Sequence, residues 1–274
     1  MKLACSVLTL VFALTASASA DTFTFTNGAV NNLMGMASRP GSFGVTEVEA
    51  ADDFILSSAT SITSASFYGL LPSFNSSVTA VNVEIYRVFP LDSTVPASGN
   101  VPTRTNSPSD VAFDERASPG GLSFSTTLIS PNFTVLNSVV NGINKFPNQT
   151  TGGEGPVTGA EVLFTVNFST PFTLLPNHYF FVPQVQLSSG DFLWLSSTRP
   201  NPALTPDLQA WIRNENLDPD WLRVGTDIVG GTNPPTFNGA FSLAGTTAAP
   251  TPEPSTFVLL LTGSGLLLRR LRTS

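Results

Sequence analysis

Polar and apolar residues alternate along much of the stretch from residue 22 to residue 243, and this period of two most constrains how the chain can fold. Thr22 to Thr26 alternates Thr with Phe, placing Phe23 and Phe25 on one face of a first strand. The clearest case is 78–89, where Val81, Val83, Ile85 and Arg87 alternate with Ala80, Asn82, Glu84 and Tyr86. Further strands are expected at 51–56, 62–70 (with Ile62, Phe67 and Leu70 facing a core), 122–129, 133–140, 161–168, 178–187, 191–197, 208–213, 221–224 and 237–243. Residues 90–120 and 141–159, rich in Pro, Ser, Asp and Gly, read as long connections. Only the two ends of the chain sustain a helical pattern, and no internal repeat is present. Ten or so strands without alternating helices predict an all-β fold, an antiparallel two-sheet β-sandwich of the jelly-roll kind, flanked by an N-terminal signal helix and a short C-terminal hydrophobic helix.

The N-terminus carries Lys2, an apolar run from Leu3 to Leu14 and the small-residue site Ala18-Ser19-Ala20, which reads as a secretory signal peptide over residues 1–20. Cys5, the only cysteine, precedes most of that run and so does not mark a lipoprotein. The expected mature domain, 21–245, therefore has neither disulfides nor thiolate metal sites, and packing must hold it together. Residues 21–249 carry 18 acidic and 8 basic side chains, a net charge of −10, which disfavours nucleic acid and anionic lipid as partners.

At the other end, Pro252-Glu253-Pro254 is followed by thirteen uncharged residues, 256–268, and then by Arg269, Arg270 and Arg272. As a helix the apolar stretch would measure roughly 20 Å, short of the 20 or so residues that a bilayer core of about 30 Å requires. The arginines would keep the C-terminus cytoplasmic and the body on the far side. An ordinary tail anchor is the alternative to a processed segment.

Candidate chemistry is sparse. His178, the only histidine, begins a strand; no G-x-S-x-G elbow accompanies it, and one histidine without cysteine excludes the usual zinc sites. Glu84 and Glu161 are the strand glutamates that a glycoside hydrolase could pair, but each is the polar member of an alternating run and is expected on a solvated outer face. Asn214, Asn216, Asp218 and Asp220 alternate and form a candidate structural calcium loop, although Pro219 and Gly225 break the EF-hand pattern; Asp52-Asp53 is a second candidate pair. Trp211 and Trp221 flank that loop and form a candidate carbohydrate platform, whereas Trp194 in Phe192-Leu193-Trp194-Leu195 reads as core. A disulfide-free domain of this size is expected to bury at least one of the flanking pair as well. Four Asn-x-Ser/Thr sequons, at Asn75, Asn132, Asn148 and Asn167, arise readily in a chain so rich in Ser, Thr and Asn.

The C-terminal order of Pro-Glu-Pro, apolar stretch and arginines resembles the sorting signal of PEP-CTERM proteins, exported bacterial proteins processed by the membrane protease exosortase. Ala51-Asp52-Asp53-Phe54 and the run from Phe237 to Thr246 also look like segments of other PEP-CTERM bodies. The resemblance implies a sorting signal over 252–274 behind a linker at 246–251, an exosortase partner, cleavage near Pro252-Glu253-Pro254 and association with the envelope or exopolysaccharide. It implies no catalytic activity. The leading expectation is thus a non-enzymatic surface or matrix protein, followed by a carbohydrate-binding module and then a secreted glycoside hydrolase.

Overall fold

The computed structural model describes residues 20–248 apart from Phe43, Val95 and Ala97. The expected signal helix, the C-terminal hydrophobic helix, Pro252, Glu253, Pro254, Arg269, Arg270 and Arg272 lie outside the described residues. The body, Thr22–Thr247, is all-β. In chain order its strands are β1 (Thr22–Thr26), β2 (Val30–Ala37), β3 (Val48–Leu56), β4 (Thr60–Leu71), β5 (Val78–Arg87), β6 (Asp114–Ala117), β7 (Leu122–Val135), β8 (Ser138–Val139), β9 (Val157–Leu174), β10 (Asn177–Leu187), β11 (Leu193–Ser197), β12 (Trp211–Asn214), β13 (Leu222–Arg223), β14 (Asn238–Gly239) and β15 (Phe241–Thr247). Among the described residues the helical content is one six-residue π-type turn, Val224–Val229.

Six strands form one antiparallel sheet in the order β13-β12-β3-β10-β5-β6. The second sheet has nine strands, centred on β4. One side of β4 pairs with β15 and, beyond it, β11; the other side pairs along its whole length with β9, which in turn pairs with β7. β1 flanks β15, while β2 and then β8 flank β11. The sheets pack face to face through aromatic rings. Phe181 of β10 stacks on Phe241 of β15 with centroids 4.8 Å apart, and Phe54 of β3 meets Phe25 of β1 at 6.1 Å. Trp194 lies edge-on to both Phe181 and Phe241, and its indole N–H donates to the Ala240 carbonyl at 3.1 Å. Each such buried ring contributes about 1.5–3 kcal/mol, and these contacts do the work that cystines would do elsewhere.

The sheets differ sharply in charge. The strands of the nine-stranded sheet contain a single acidic or basic residue, Glu161, whereas those of the six-stranded sheet carry ten besides His178. The outer face of the six-stranded sheet is also covered. Residues 88–112, 199–210 and 215–221 fold over it, so that Ala51, Tyr86, Phe180, Val182, Leu208, Trp211 and Trp221 form a second, smaller core. The stretch 90–120, expected as a plain connection, is therefore a packed layer: Val101, Arg104, Ser107, Ser109 and Asp110 are buried in it, and β6 is formed from its end.

Several boundaries also differ from expectation. β2 is an additional strand; its last four residues, Met34 to Ala37, are buried irrespective of parity and so show no alternation. β7 is one strand bent by register shifts between Leu128 and Ser130 and between Ser130 and Phe133, where two strands were expected. β15 continues through Thr247, with Thr246 opposite Thr22, two residues into the expected linker.

Candidate functional site: an acidic cleft on the covered sheet

Strand alternation sends Glu49, Ala51 and Asp53 from β3, Glu84 and Tyr86 from β5, Phe180, Val182 and Gln184 from β10, and Trp211 and Arg213 from β12 to the same outer face. The register sets Arg213 opposite Glu49, Trp211 opposite Ala51, and Val182 opposite Glu84. One half of this face is the apolar secondary core. The other half opens into a cleft of 340 Å³ lined by Glu47, Glu49, Glu84, Tyr86 and Arg213, with Glu115, Glu215, Asp218, Asp110, Val111 and Ala112 around them.

The Tyr86 hydroxyl is the hub. It lies 2.5 Å from Glu49 Oε1 and 2.8 Å from Glu84 Oε2, and it accepts from Arg213 Nη2 at 2.9 Å. Arg213 clasps both oxygens of Glu49, donates through Nη1 to the Asp110 carbonyl at 2.9 Å, pairs with Asp218 at 2.8 Å, and lays its guanidinium 4.4 Å from the centre of the Trp221 ring. Burial opposes the charge on Arg213, but the Glu49 carboxylate and Tyr86 more than offset this and hold its pKa above the ordinary value. Burial followed by the neighbouring Glu49 charge pushes Glu84 up to about 8, so at neutral pH it carries a proton. One phenolic proton cannot serve two carboxylates. A protonated Glu84 resolves this by donating to Tyr86, which in turn donates to Glu49. Burial also raises Glu47, which accepts from Gln184 Nε2 at 2.8 Å. The cluster can store and release a proton, yet both oxygens of Glu49 are already engaged by Arg213 and Tyr86.

No protein-family model, no curated protein and no solved structure matches this chain.

The residues expected to carry chemistry are distributed differently from the sequence reading. Glu84 and Glu161 stand in different sheets, on β5 and β9, so they do not pair. Glu84 does stand on the outer face but is half-buried in the cleft there, and Glu161 is buried, with its pKa raised by that burial. The partner that Glu84 does have, Glu49, escaped notice because the strand was expected to begin at residue 51. The alternation Glu47-Val48-Glu49, with Val48 buried on the opposite face, was the available signal.

Trp211 and Trp221 are 1 % and 0 % exposed, so neither presents a ring face for a sugar. Both belong to the secondary core, and the Trp221 N–H donates to the Ser109 carbonyl at 3.0 Å. The expected calcium loop does not converge. Asn214 Oδ1 accepts from the backbone N–H groups of Asn216 and Leu217, Asp218 turns to Arg213, and buried Asp220 meets Ser98 and Arg104. Asn216 sits in the turn, offering only its backbone N–H to that loop. The side-chain oxygens of Asn214, Asp218 and Asp220 are thus directed to separate protein partners.

Asp52 and Asp53 have well-defined tasks. Asp52, wholly buried, accepts from the Gly239 N–H at 2.7 Å and from the Asn27 side-chain amide. It thereby joins Ala51-Asp52-Asp53-Phe54 to the Phe237–Thr246 stretch, the two body segments singled out in the sequence. Burial and the adjacent Asp53 raise its pKa well above the ordinary value. On the opposite face of β3, Asp53 accepts from the Leu208 N–H at 3.1 Å and lies 2.6 Å from His178 Nε2. His178 therefore orders the covering loop through Asp53, as a structural residue.

Proposed function

We propose that this chain is an exported cell-surface or exopolysaccharide-matrix protein without catalytic activity, sorted through its C-terminal segment and cut near Pro252-Glu253-Pro254 by an exosortase-type membrane protease. The observation that carries this reading is the uninterrupted order of Pro-Glu-Pro, an apolar stretch too short to span a bilayer comfortably, and Arg269, Arg270 and Arg272, opposite a secretory signal at the other end. The arrangement of the body supports it. Thr22 and Thr246 are partners on neighbouring antiparallel strands, so the chain enters and leaves the domain at one corner. A domain built this way can be held at a single point and keep the rest of its surface available. The cleft carboxylates support a non-enzymatic role, since Glu49 is a counter-ion to Arg213 and a bond acceptor for Tyr86. The same reading takes the sandwich as a jelly roll, supported by the way β3, β4 and β5, and then β9 and β10, pass alternately between the sheets.

Intact-mass measurement of the protein recovered from its host's surface tests the reading. The mature form should start near Asp21 and lack everything beyond the Pro-Glu-Pro region. Protein that still carries residues 269–274 would refute sorting and establish a tail anchor.

A further inference from the structure

The ends of a β-sheet expose unpaired backbone N–H and C=O groups, and natural proteins protect them by keeping edge strands short, charging them or interrupting them. Four edges of this domain follow that rule. β13 and β8 are two residues long, β1 is five, and β6 carries Asp114, Glu115 and Arg116 in succession. β7 does not follow it. It has fourteen residues and no charge, pairs only with β9 among the described strands, and is exposed on both faces from Ser125 to Ile129. Its second half is blunted by Pro131 and two register shifts, but Leu122 to Leu128 pairs with β9 without interruption.

That uninterrupted run, Leu-Ser-Phe-Ser-Thr-Thr-Leu, is close to self-complementary when laid antiparallel on itself about Ser125. Leu122 then faces the second copy's Leu128, Ser123 its Thr127, Phe124 its Thr126, and Ser125 its own counterpart. The two-fold axis of such a pair stands perpendicular to the sheet, so like faces stay together. Ser123, Ser125 and Thr127 would continue the hydroxyl-bearing outer face, and Leu128, 37 % exposed, would gain an apolar neighbour. Charge argues for the same partner. The chain has a net charge of −7, so most ways of joining two copies bring acids together, whereas neither β7 nor the strand behind it places a charge at the junction; the one acid there, Glu161, is buried.

We propose that the Leu122–Leu128 edge of β7 is a homotypic docking surface, through which two copies of this chain join antiparallel about Ser125 into one continuous sheet.

The test uses the full chain with Cys5→Ser as parent, so that any introduced cysteine is the only one. Directly opposed residues in an antiparallel pair have Cβ atoms about 4.5–5.5 Å apart, close enough for a disulfide after a slight adjustment. Under mild oxidation, Ser125→Cys should give a covalent dimer, and Ser66→Cys, within the same sheet on β4, should not. In sedimentation velocity the parent should shift from dimer to monomer on dilution. Ser125→Asp, which sets two like charges opposite each other, should be monomeric throughout while keeping the parent's circular dichroism. If that variant fails to fold, the contrast between Ser125→Cys and Ser66→Cys decides alone. A parent that stays monomeric at every concentration, or dimerises without coupling through residue 125, overturns the proposal; the former result would leave the edge to a foreign strand.

Discussion

The proton held by Glu84 makes a prediction that can be worked in numbers. Its pKa stands at about 8 against an ordinary 4.5, because burial and the Glu49 charge both penalise the ionised form. Between those two values the folded protein binds a proton that the unfolded chain has released, so stability falls as pH rises through this window and levels off above it. Each pH unit is worth about 1.4 kcal/mol, which puts the full span on the order of 4–5 kcal/mol. Water in the cleft and adjustment of Arg213 screen part of this, leaving about 2–4 kcal/mol to be observed. Glu84→Gln keeps the shape and the hydrogen bond to Tyr86 but cannot ionise. Urea-unfolding free energies of parent and variant, measured from about pH 5 to about pH 9, should converge at the acid end and diverge by that amount at the alkaline end, with the variant more stable. Asp52 and Asp53, also raised by burial, titrate in both proteins and cancel in the difference, whereas Glu47, whose charge bears on Glu84, adds its own coupling to the divergence. Parallel profiles across the range would refute the reasoning and mean that Glu84 is ionised in the folded state.

Two further outcomes follow from the burial pattern. Asp52→Ala should lower stability by about 2–4 kcal/mol because it strands the Gly239 N–H and the Asn27 amide, whereas Asp52→Asn should cost less than about 1 kcal/mol by keeping an acceptor and shedding a buried charge; thermal melts of the two variants separate the cases. Trp211→Ala and Trp221→Ala should each cost about 3–5 kcal/mol in urea unfolding, and a loss below about 1 kcal/mol for either would show that its ring is not packed under the covering loop.

How much of this was legible in the sequence depends on which face of a strand is considered. Alternation finds strands that are wet on one side, and β1, β5 and much of β4 and β9 were found in that way. It fails where both faces are dry. In β2, Met34 and Met36 face one way and Gly35 and Ala37 the other, and all four are buried; a methyl on Gly35 would already press on the Leu193 side chain at 3.1 Å. The strand expected at 161–168 runs on through Pro171 to Leu174, with Thr173 still opposite Ser61 of β4.

The candidate site was misread for a related reason. Period-two reasoning takes the polar residues of a strand as solvent-facing, and on the six-stranded sheet that inference breaks because a third layer of irregular chain lies over it. Once covered, the same positions must be satisfied internally, which explains why Glu84 is protonated, why Tyr86 bridges two carboxylates, and why Arg213 reaches two glutamate oxygens, an aspartate and a backbone carbonyl at once. Arg104, nearly invisible within a stretch that reads as a loop, is buried and stacks 4.5 Å from the Phe89 ring. It ties the covering segments to one another, pairing with Asp110 in its own segment and with Asp220 in the other, so that its buried charge is matched. Trp211, on β12, belongs to the apolar half of the surface on which that layer rests, and Trp221 packs into the same small core from the layer itself.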